Sequence, residues 1–382
     1  MKVKVASSKN PILRLALEEI ADKIGSDFDF IILAVSPKYP FSDVSRVAPA
    51  IFNVDCSQCI AFSSIDAFSN TEIVSEGVVA TVFKFERKGK IKLSYFSELS
   101  GSGFDRQAKE LFNKLSFDCD CVNVILGDYS DGKFPFVIRS LSTLIEKEDV
   151  PVERVCGGIF STFIEGKKKE KGYMSVEGRI ISGGFLALTF EGFDSTIGLS
   201  TGAFKAGPVY SVDRALGYEI LFLDGKPAGL LPKRILSGIG EESVEPLWYT
   251  PLVVLNGDGQ PVALRTFKSF TETSIEVWAP VESGVKVKLS LVVVEEILKD
   301  TEFVARRVKE KIGFADVCFD FSCAARQVTL EDKAQEELII YGREIDAPLF
   351  GFFTHGEIAP DLSGRRLELH NQTSVCLVMR EL

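Results

Sequence analysis

The chain has 382 residues, of which 46% are hydrophobic and 26% charged, and its formal net charge is −10. This composition excludes intrinsic disorder, because it supplies enough apolar surface to offset the conformational entropy lost on folding. The acidic balance argues against a nucleic-acid binder, which needs a basic surface. The apolar runs are much shorter than the roughly 20 residues of a membrane helix, and the N-terminus lacks the apolar core of a signal peptide. We therefore expect a cytoplasmic protein of two or three domains that contacts neither nucleic acid nor membrane.

Helices and buried strands alternate in the first 160 residues. The first helix is predicted to follow Asn10 as its cap and Pro11 as its first residue, and to end at Gly25. Its apolar face is predicted to consist of Leu13, Leu17, Ile20 and Ile24. Further helices are predicted at residues 43–52, from residue 105 and at 141–148, and strands at 28–34, 59–63, 72–96 (two or three), 122–126 and 154–161.

Residues 173–294 have a different pattern, in which apolar runs are separated by glycine-containing turns. This pattern predicts a mostly β segment built from hairpins. The charged run at residues 165–171 is predicted to be a solvated loop or hairpin tip. Helices are predicted again at 301–312 and 330–341, the second opened by a capping box of Thr329 and Asp332 and closed by Gly342. Strands are predicted at 317–322, 349–353 and 374–379.

These elements predict an α+β fold with mixed α/β layers, arranged as two consecutive sandwich-like domains with a β-rich middle. No clean sequence repeat is present. A helix, a short strand and a turn of small residues nevertheless recur at 43–64, 141–162 and 330–356. Two explanations of this recurrence stay open: related α/β units, or coincidence.

The cysteine pattern gives little support to a metal site. Cys56 and Cys59 form a CxxC pair and Cys119 and Cys121 a CxC pair, which together could offer four thiolates to zinc or an iron–sulfur cluster. Their relative spacing is unremarkable, so we expect free thiols, no metal and no cofactor. The P-loop, GxGxxG, GxSxG and HExxH motifs are absent from the sequence.

The C-terminal third carries the clearest candidates for a functional site. Residues 319–326 (FDFSCAAR) place Cys323 at the end of a predicted strand, with Arg326 one turn later. Residues 351–360 (GFFTHGEIAP) place Thr354, His355 and Glu357 in a glycine-bearing loop after another strand, which is a usual position for ligand-binding or catalytic groups. The alternative is structural: a packed thiol, a hydrogen-bonded loop histidine and a capping or surface carboxylate.

Five segments in order resemble the FIST domain family. They are RVCGGIF at 154–160, TGAFKAGPVYSVDRALGYEILFLDGKPA at 201–228, FDFSCAARQ at 319–327, FFTHGEIAP at 352–360 and LELHNQTSVCLV at 367–378. The resemblance spans residues 28–380 and implies an N-terminal FIST domain at 1–215 and a C-terminal FIST domain at 216–382. It implies a prokaryotic sensory module that binds small ligands, with amino acids suggested. Larger relatives are joined to histidine kinase, chemoreceptor, cyclic-nucleotide or F-box domains, and some relatives bind haem and sense nitric oxide.

The sequence departs from the family pattern at two points. Relatives often have His-Gly before the central Gly-Pro, where this chain has Thr201 and Gly202, so one potential haem ligand is missing and we expect no haem. No length remains for an output domain, so we expect signalling through a separately encoded protein.

The leading hypothesis is a stand-alone sensory protein that binds an amino acid or similar small polar metabolite. Arg326 would hold a carboxylate or phosphate, Glu357 would take an ammonium group, and Phe352 or Phe353 would form an apolar wall. The candidate ligand-binding residues are Cys323, Arg326, Phe353, Thr354, His355, Gly356 and Glu357, with Gly202, Gly207 and Pro208 on a facing loop.

Two alternatives belong to other classes of function. A thiol-dependent hydrolase or transferase would use Cys323 as nucleophile, His355 as base and Glu357 as the group that orients it. An interaction scaffold, in keeping with the F-box fusions, would present an exposed apolar patch and no enclosed polar pocket. The sequence favours a binding protein over an enzyme.

Overall fold

The computed structural model describes residues 1–97, 103–129, 132–160 and 172–382, so the charged run at 165–171 lies outside the described residues. The α-helices are α1 (Leu13–Ile24), α2 (Phe41–Phe52), α3 (Phe104–Phe112), α4 (Phe134–Lys147), α5 (Leu230–Ile239), α6 (Val294–Ile312), α7 (Ala324–Leu330) and α8 (Ala334–Ile345). Short 3₁₀ turns lie at Cys56–Gln58, Val152–Arg154, Glu245–Tyr249 and Glu331–Lys333.

The strands form four sheets and confirm the α+β class with a β-rich middle. The strands of the first half are β1 (Lys2–Ser8), β2 (Phe30–Val35), β3 (Cys59–Ser63), β4 (Asp66–Ser69), β5 (Glu72–Ser75), β6 (Val78–Lys84), β7 (Lys90–Phe96), β8 (Cys121–Asp128), β9 (Val155–Phe160), β10 (Tyr173–Val176), β11 (Arg179–Ser182), β12 (Phe185–Glu191) and β13 (Phe193–Ser200). Those of the second half are β14 (Ala203–Leu216), β15 (Glu219–Leu223), β16 (Lys226–Pro227), β17 (Leu252–Leu255), β18 (Pro261–Arg265), β19 (Phe267–Phe270), β20 (Ile275–Val277), β21 (Lys286–Val292), β22 (Val317–Cys323), β23 (Leu349–Thr354), β24 (Glu357–Pro360), β25 (Leu367–His370) and β26 (Ser374–Glu381).

Three of the sheets share one topology. Their orders are β1-β6-β2-β3-β10-β11, β7-β12-β8-β9-β24-β25 and β13-β26-β22-β23-β4-β5. Each contains one parallel pair joined by a helical crossover, namely β2–β3, β8–β9 and β22–β23. The three segments in which the sequence repeats a helix and a short strand are the second halves of these crossovers. The described part of the chain therefore contains three related β–α–β units.

The hairpin that follows each parallel pair pairs with the sheet of another unit. The β4–β5 hairpin extends the third sheet, β10–β11 extends the first, and β24–β25 extends the second. This cyclic exchange joins the N-terminal and C-terminal parts of the chain through backbone hydrogen bonds. The loop that enters β24 carries His355 and Gly356, and Glu357 is the first residue of that strand.

The central core lies where the three sheets face one another. Alternate residues of β2, β8 and β22 point into it, and the intervening residues point to the helices that cover each sheet. Such strands are buried on both faces, which explains their continuous apolar runs. Phenylalanines fill much of this core; the rings of Phe62 and Phe352, from two different sheets, lie 4.7 Å apart.

The fourth sheet is an insertion in the third unit. Its order is β18-β17-β21-β14-β15-β20-β19, with β16 beside β15, and it has an apolar cluster of its own. The boundary expected between residues 215 and 216 falls inside β14, one residue before its end, and the division into two domains there stays a prediction. The predicted turn at Asp224 and Gly225 joins the hairpin of β15 and β16, and both residues have a positive φ.

Several predicted boundaries were wrong. The helix predicted at 330–341 begins only at Ala334, after a 3₁₀ turn, and the shorter helix α7 before it was not predicted. Thr329 does not cap the predicted helix, because it donates its hydroxyl to the Arg326 carbonyl oxygen inside α7. Gly342 lies within α8, which ends at Ile345 and is followed by Asp346 at a left-handed φ of 54°. Helix α1 begins two residues after Pro11, although the Asn10 side chain does accept the Ile12 N–H. Helix α5 was not predicted. None of the described helices is long and apolar enough to cross a membrane.

Candidate functional site

Arg326 lies at the centre of a buried polar network between α6, α8 and the third sheet. Its side chain is fully buried, and Nη2 lies 2.6 Å from Oε1 of Glu337, which is itself 1% exposed. The guanidinium also donates to the hydroxyls of Ser200 (2.9 Å) and Thr301 (2.8 Å). Burying an arginine is costly unless it is paired and hydrogen-bonded, and both conditions are met. The carboxylate partner is Glu337, a residue that the sequence did not single out.

The same arginine holds the loop that contains Gly202. Its Nη1 donates to the Thr201 carbonyl oxygen at 3.1 Å, and Asp300 accepts the backbone N–H of Thr201 (2.6 Å) and of Gly202 (3.0 Å). Gly202 has a φ of 61°, and a Cβ atom there would lie 2.5 Å from the Ile297 Cα. Glycine is therefore required, and the predicted proximity of this loop to Arg326 is present. Gly207 and Pro208 are exposed in an irregular part of β14.

Glu357 occupies a second buried polar position, at the start of β24. Its Oε2 accepts the Thr373 hydroxyl at 2.8 Å, and its Oε1 contacts the Thr354 hydroxyl. Burial raises the pKa of this carboxyl to about 8, so it is mostly protonated at neutral pH. A protonated Glu357 can donate to Thr354, which leaves the threonine hydroxyl free to donate to the Ser322 carbonyl oxygen at 3.3 Å.

Asp320 is a third buried acid on the helix-facing side of β22. Its Oδ1 accepts the Ser374 hydroxyl at 2.8 Å, and Ser374 in turn lies 2.7 Å from the Tyr341 hydroxyl. Burial, and then the charge of Glu337, raise the pKa of Asp320 well above its usual value. Glu337 is therefore the buried carboxylate that is paired with Arg326, and protonation of the other two buried acids, Asp320 and Glu357, avoids an uncompensated negative charge.

Cys323 and His355 are both neutral in this environment. Cys323 ends β22 and is 4% exposed. Burial, and then the charge of Glu357, raise the pKa of its thiol, so the thiol stays protonated at neutral pH. Burial lowers the pKa of His355 to about 4. A buried thiol of raised pKa is a weak nucleophile, so the arrangement favours binding over thiol chemistry.

His355 lies against an aromatic wall that the sequence did not predict. Its ring stacks at 6.2 Å from Tyr129, and the Trp278 ring lies 5.6 Å away. His355 and Trp278 are partly exposed. Lys268 lies 5.4 Å from the Trp278 ring centroid and forms an ion pair with Glu276. We call these five residues the His355 rim. The sequence contained one indication of this site: Tyr129 follows the end of the strand predicted at 122–126.

The two candidates for an apolar wall point into the interior. Phe352 packs against Phe62 in the central core, and Phe353 contacts Phe68 at 4.6 Å on the opposite face of β23. The partly exposed aromatic ring beside His355 is therefore that of Trp278, with the buried ring of Tyr129 packed against both.

The three units differ at the ends of their parallel strands. The last paired residues of these strands are Val35 with Ser63, Asp128 with Phe160, and Cys323 with Thr354. In the second unit this pair itself contains a buried carboxyl, Asp128, and in the third unit it contacts one, Glu357.

The cysteine motifs lie elsewhere. Cys56 and Cys119 are exposed, whereas Cys59 and Cys121 are buried, and all are free thiols. Within the described ranges, no group of three or more His, Cys, Asp or Glu side chains is arranged to hold a metal ion.

Comparison with known proteins identifies two family domains that cover most of the chain. Residues 29–226 match the FIST N domain and residues 233–360 match the FIST C domain. An uncharacterized protein of Aquifex aeolicus (strain VF5) is 29% identical over 264 residues, which cover 67% of this chain and 95% of the relative. The division between the two matches falls within the inserted fourth sheet, between β16 and β17.

Proposed function

Because the chain belongs to the FIST family, whose domains are generally sensory and signal-transduction modules, we propose that it is a sensory protein for an amino acid or a similar small polar metabolite. The observation that carries the proposal is the His355 rim. It combines the neutral imidazole of His355, two aromatic rings and the ion pair of Lys268 with Glu276. Aromatic surfaces with a few oriented polar groups are typical of small-molecule sites.

The predicted site residues take different parts in this proposal. His355 contacts the ligand, because it is the partly exposed member of the set. Arg326 acts as a positioning residue, since its described donors are directed at Glu337, Ser200, Thr301 and the Thr201 carbonyl. Thr354 and Glu357 flank His355 and Gly356, and the hydrogen bond between them fixes the conformation of this loop.

In this proposal, the signal passes to a separately encoded protein. The exchanged β24–β25 hairpin connects the His355 loop to the second sheet, while Arg326 connects the third sheet to the Gly202 loop at the start of the inserted sheet. A ligand at His355 therefore contacts the junction between units. A change in packing at this junction can alter the surface to which a separately encoded signalling protein binds.

The proposal is tested on the full chain by native mass spectrometry and an absorption spectrum, followed by thermal melts with single amino acids. We expect a retained small adduct or a raised melting temperature in the wild type and its loss in His355→Ala. Tyr210→Ala, which changes a partly exposed aromatic residue of the inserted sheet, serves as the control. A Soret band would indicate haem and contradict the amino-acid assignment, and the absence of any adduct or shift would contradict the sensory proposal.

A further inference from the structure

A cleft of about 610 Å³ separates α4 from the inserted sheet and the β24–β25 turn. Its size falls within the range of small-molecule sites. Its walls come from three distant parts of the chain: the helix at 135–146, the inserted sheet at 254–286 and the turn at 361–369. His355 is not among the lining residues.

The floor of the cleft is rigid. Arg265 is 5% exposed, and its guanidinium donates to Glu368 (2.8 Å) and to the carbonyl oxygens of Leu369 (2.7 Å) and Pro280 (3.1 Å). A buried guanidinium with several partners is fixed in orientation. It joins the inserted sheet to β25 and sets the shape of the cleft.

Two exposed ion pairs cross the cleft from α4. Arg139 pairs with Glu282 on the wall of the inserted sheet, and Glu146 pairs with Arg366 on the β24–β25 turn at 2.7 Å. All four side chains are about half exposed. Exposed ion pairs contribute little to stability, so a ligand that offers a carboxylate and an ammonium can replace either partner at little cost.

The cleft also contains charged groups that take part in no described ion pair. Lys286 and Arg365 are exposed cations of this kind, and Asp258 is an exposed acid on the same wall as Lys286. Charges of both signs thus line one cavity: Asp258, Glu282 and Lys286 lie on the wall of the inserted sheet, and Arg365 lies on the β24–β25 turn. Such a lining matches a zwitterion better than a simple anion or cation, because each end of a zwitterion can then meet an opposite charge.

We propose that this cleft is a second binding site, for a free amino acid, with the carboxylate held by Arg365 and Lys286 and the ammonium group by Asp258 and Glu282. The inference rests on the proposed function for the class of ligand and adds a site apart from the His355 rim. A ligand here bridges α4 to the inserted sheet and competes with the ion pairs that cross the cleft.

The test compares binding of single amino acids by isothermal titration to the wild type, the double variant Arg365→Ala/Lys286→Ala and the variant His355→Ala. The matched control is Arg179→Ala/Lys226→Ala, which removes two exposed cations outside the cleft. Inorganic phosphate and citrate serve as anions without an ammonium group. We expect an amino acid whose affinity falls at least about tenfold, or 1.4 kcal/mol, in the cleft double variant and stays unchanged in His355→Ala and the control.

The possible outcomes separate the two proposals. If the binding of every amino acid is unchanged in the cleft variant and lost in His355→Ala, the cleft proposal is overturned and the proposed function stands. Phosphate or citrate binding as tightly as the amino acid would overturn the zwitterion assignment. If no amino acid binds to the wild type, both proposals fail.

Discussion

Arg326 and Glu337 form an ion pair in which both side chains are almost completely removed from solvent, with Nη2 and Oε1 2.6 Å apart. Ser200 and Thr301 complete the hydrogen bonding of the guanidinium, and Ser322 donates to the second carboxylate oxygen of Glu337. The pair joins the Gly202 loop, α6, α7 and α8 at one point. Its energetic value lies in keeping these elements in one arrangement, because the desolvation cost of such a pair can exceed the attraction.

Removing one partner of this pair is therefore more damaging than removing both. Glu337→Ala leaves the buried Arg326 uncompensated, and we expect a loss of about 3–5 kcal/mol in the free energy of unfolding. The double variant Arg326→Met/Glu337→Met removes both charges and restores part of that stability. Chemical denaturation measures the free energy of unfolding of the single and the double variant. A double variant as unstable as Glu337→Ala would contradict this account, and Glu344→Ala, which breaks exposed ion pairs, is the control.

Gly202 allows two causes of strain to be separated. Gly202→Ala places a Cβ atom 2.5 Å from the Ile297 Cα at a φ of 61°. Gly225→Ala has a similar φ of 72° but meets nothing within 4 Å. We expect Gly225→Ala to lower the free energy of unfolding by about 1 kcal/mol because of backbone strain. Gly202→Ala should lower it by about 1–3 kcal/mol more, because the added Cβ atom also overpacks the site. Equal losses in urea denaturation would show that the loop moves freely away from α6.

Glu381 predicts a loss of stability in acid. It accepts the backbone N–H groups of Glu86, Arg87 and Gly89 and pairs with the Met1 ammonium at 3.1 Å. These donors outweigh its burial and depress its pKa from 4.5 to about 2. Because the folded value lies below the unfolded one, the stabilisation is complete above pH 4.5 and is lost as the pH falls towards 2.

Glu381→Gln tests this assignment. A depression of this size corresponds to about 3 kcal/mol, and we expect a loss of about 2–3 kcal/mol at pH 7 with a smaller decline in stability between pH 4.5 and 2. Glu72→Gln, at an exposed position, is the control. The free energy of unfolding is measured by denaturation across that pH range. If its dependence on pH in Glu381→Gln is the same as in the wild type, Glu381 is excluded as the titrating group.

Local sequence patterns were sufficient for most elements and for part of the site. The buried face of α1 is correctly predicted, because apolar spacing along one helix reflects which side faces a sheet. The same local reasoning located the Cys323 and Thr354 strand ends. Helix α7 and the later start of α8 were missed, because the buried contact between Arg326 in α7 and Glu337 in α8 overrides a plausible capping pattern.

The His355 rim could not be predicted, for a related reason. Tyr129, Trp278 and His355 are separated by long stretches of chain and meet only because the β24–β25 hairpin joins the second sheet. The pairing of Arg326 with Glu337 was missed in the same way, because it depends on the packing of α8 against α7. Exchange of hairpins between units leaves no local signal in a single sequence.

Glu357 predicts the opposite dependence on pH from Glu381. Burial raises its pKa from 4.5 to about 8. The folded protein therefore retains a proton that the unfolded chain releases above pH 4.5, and stability falls as the pH rises from 4.5 to 8. Glu357→Gln keeps a neutral group of similar shape that can still hydrogen-bond to Thr354 and Thr373, so we expect a flatter profile and equal or greater stability at pH 8. Thermal melts at pH 5 and pH 8 measure this difference. A Glu357→Gln variant that is much less stable than the wild type at pH 8 would show that the carboxylate is the form the fold requires.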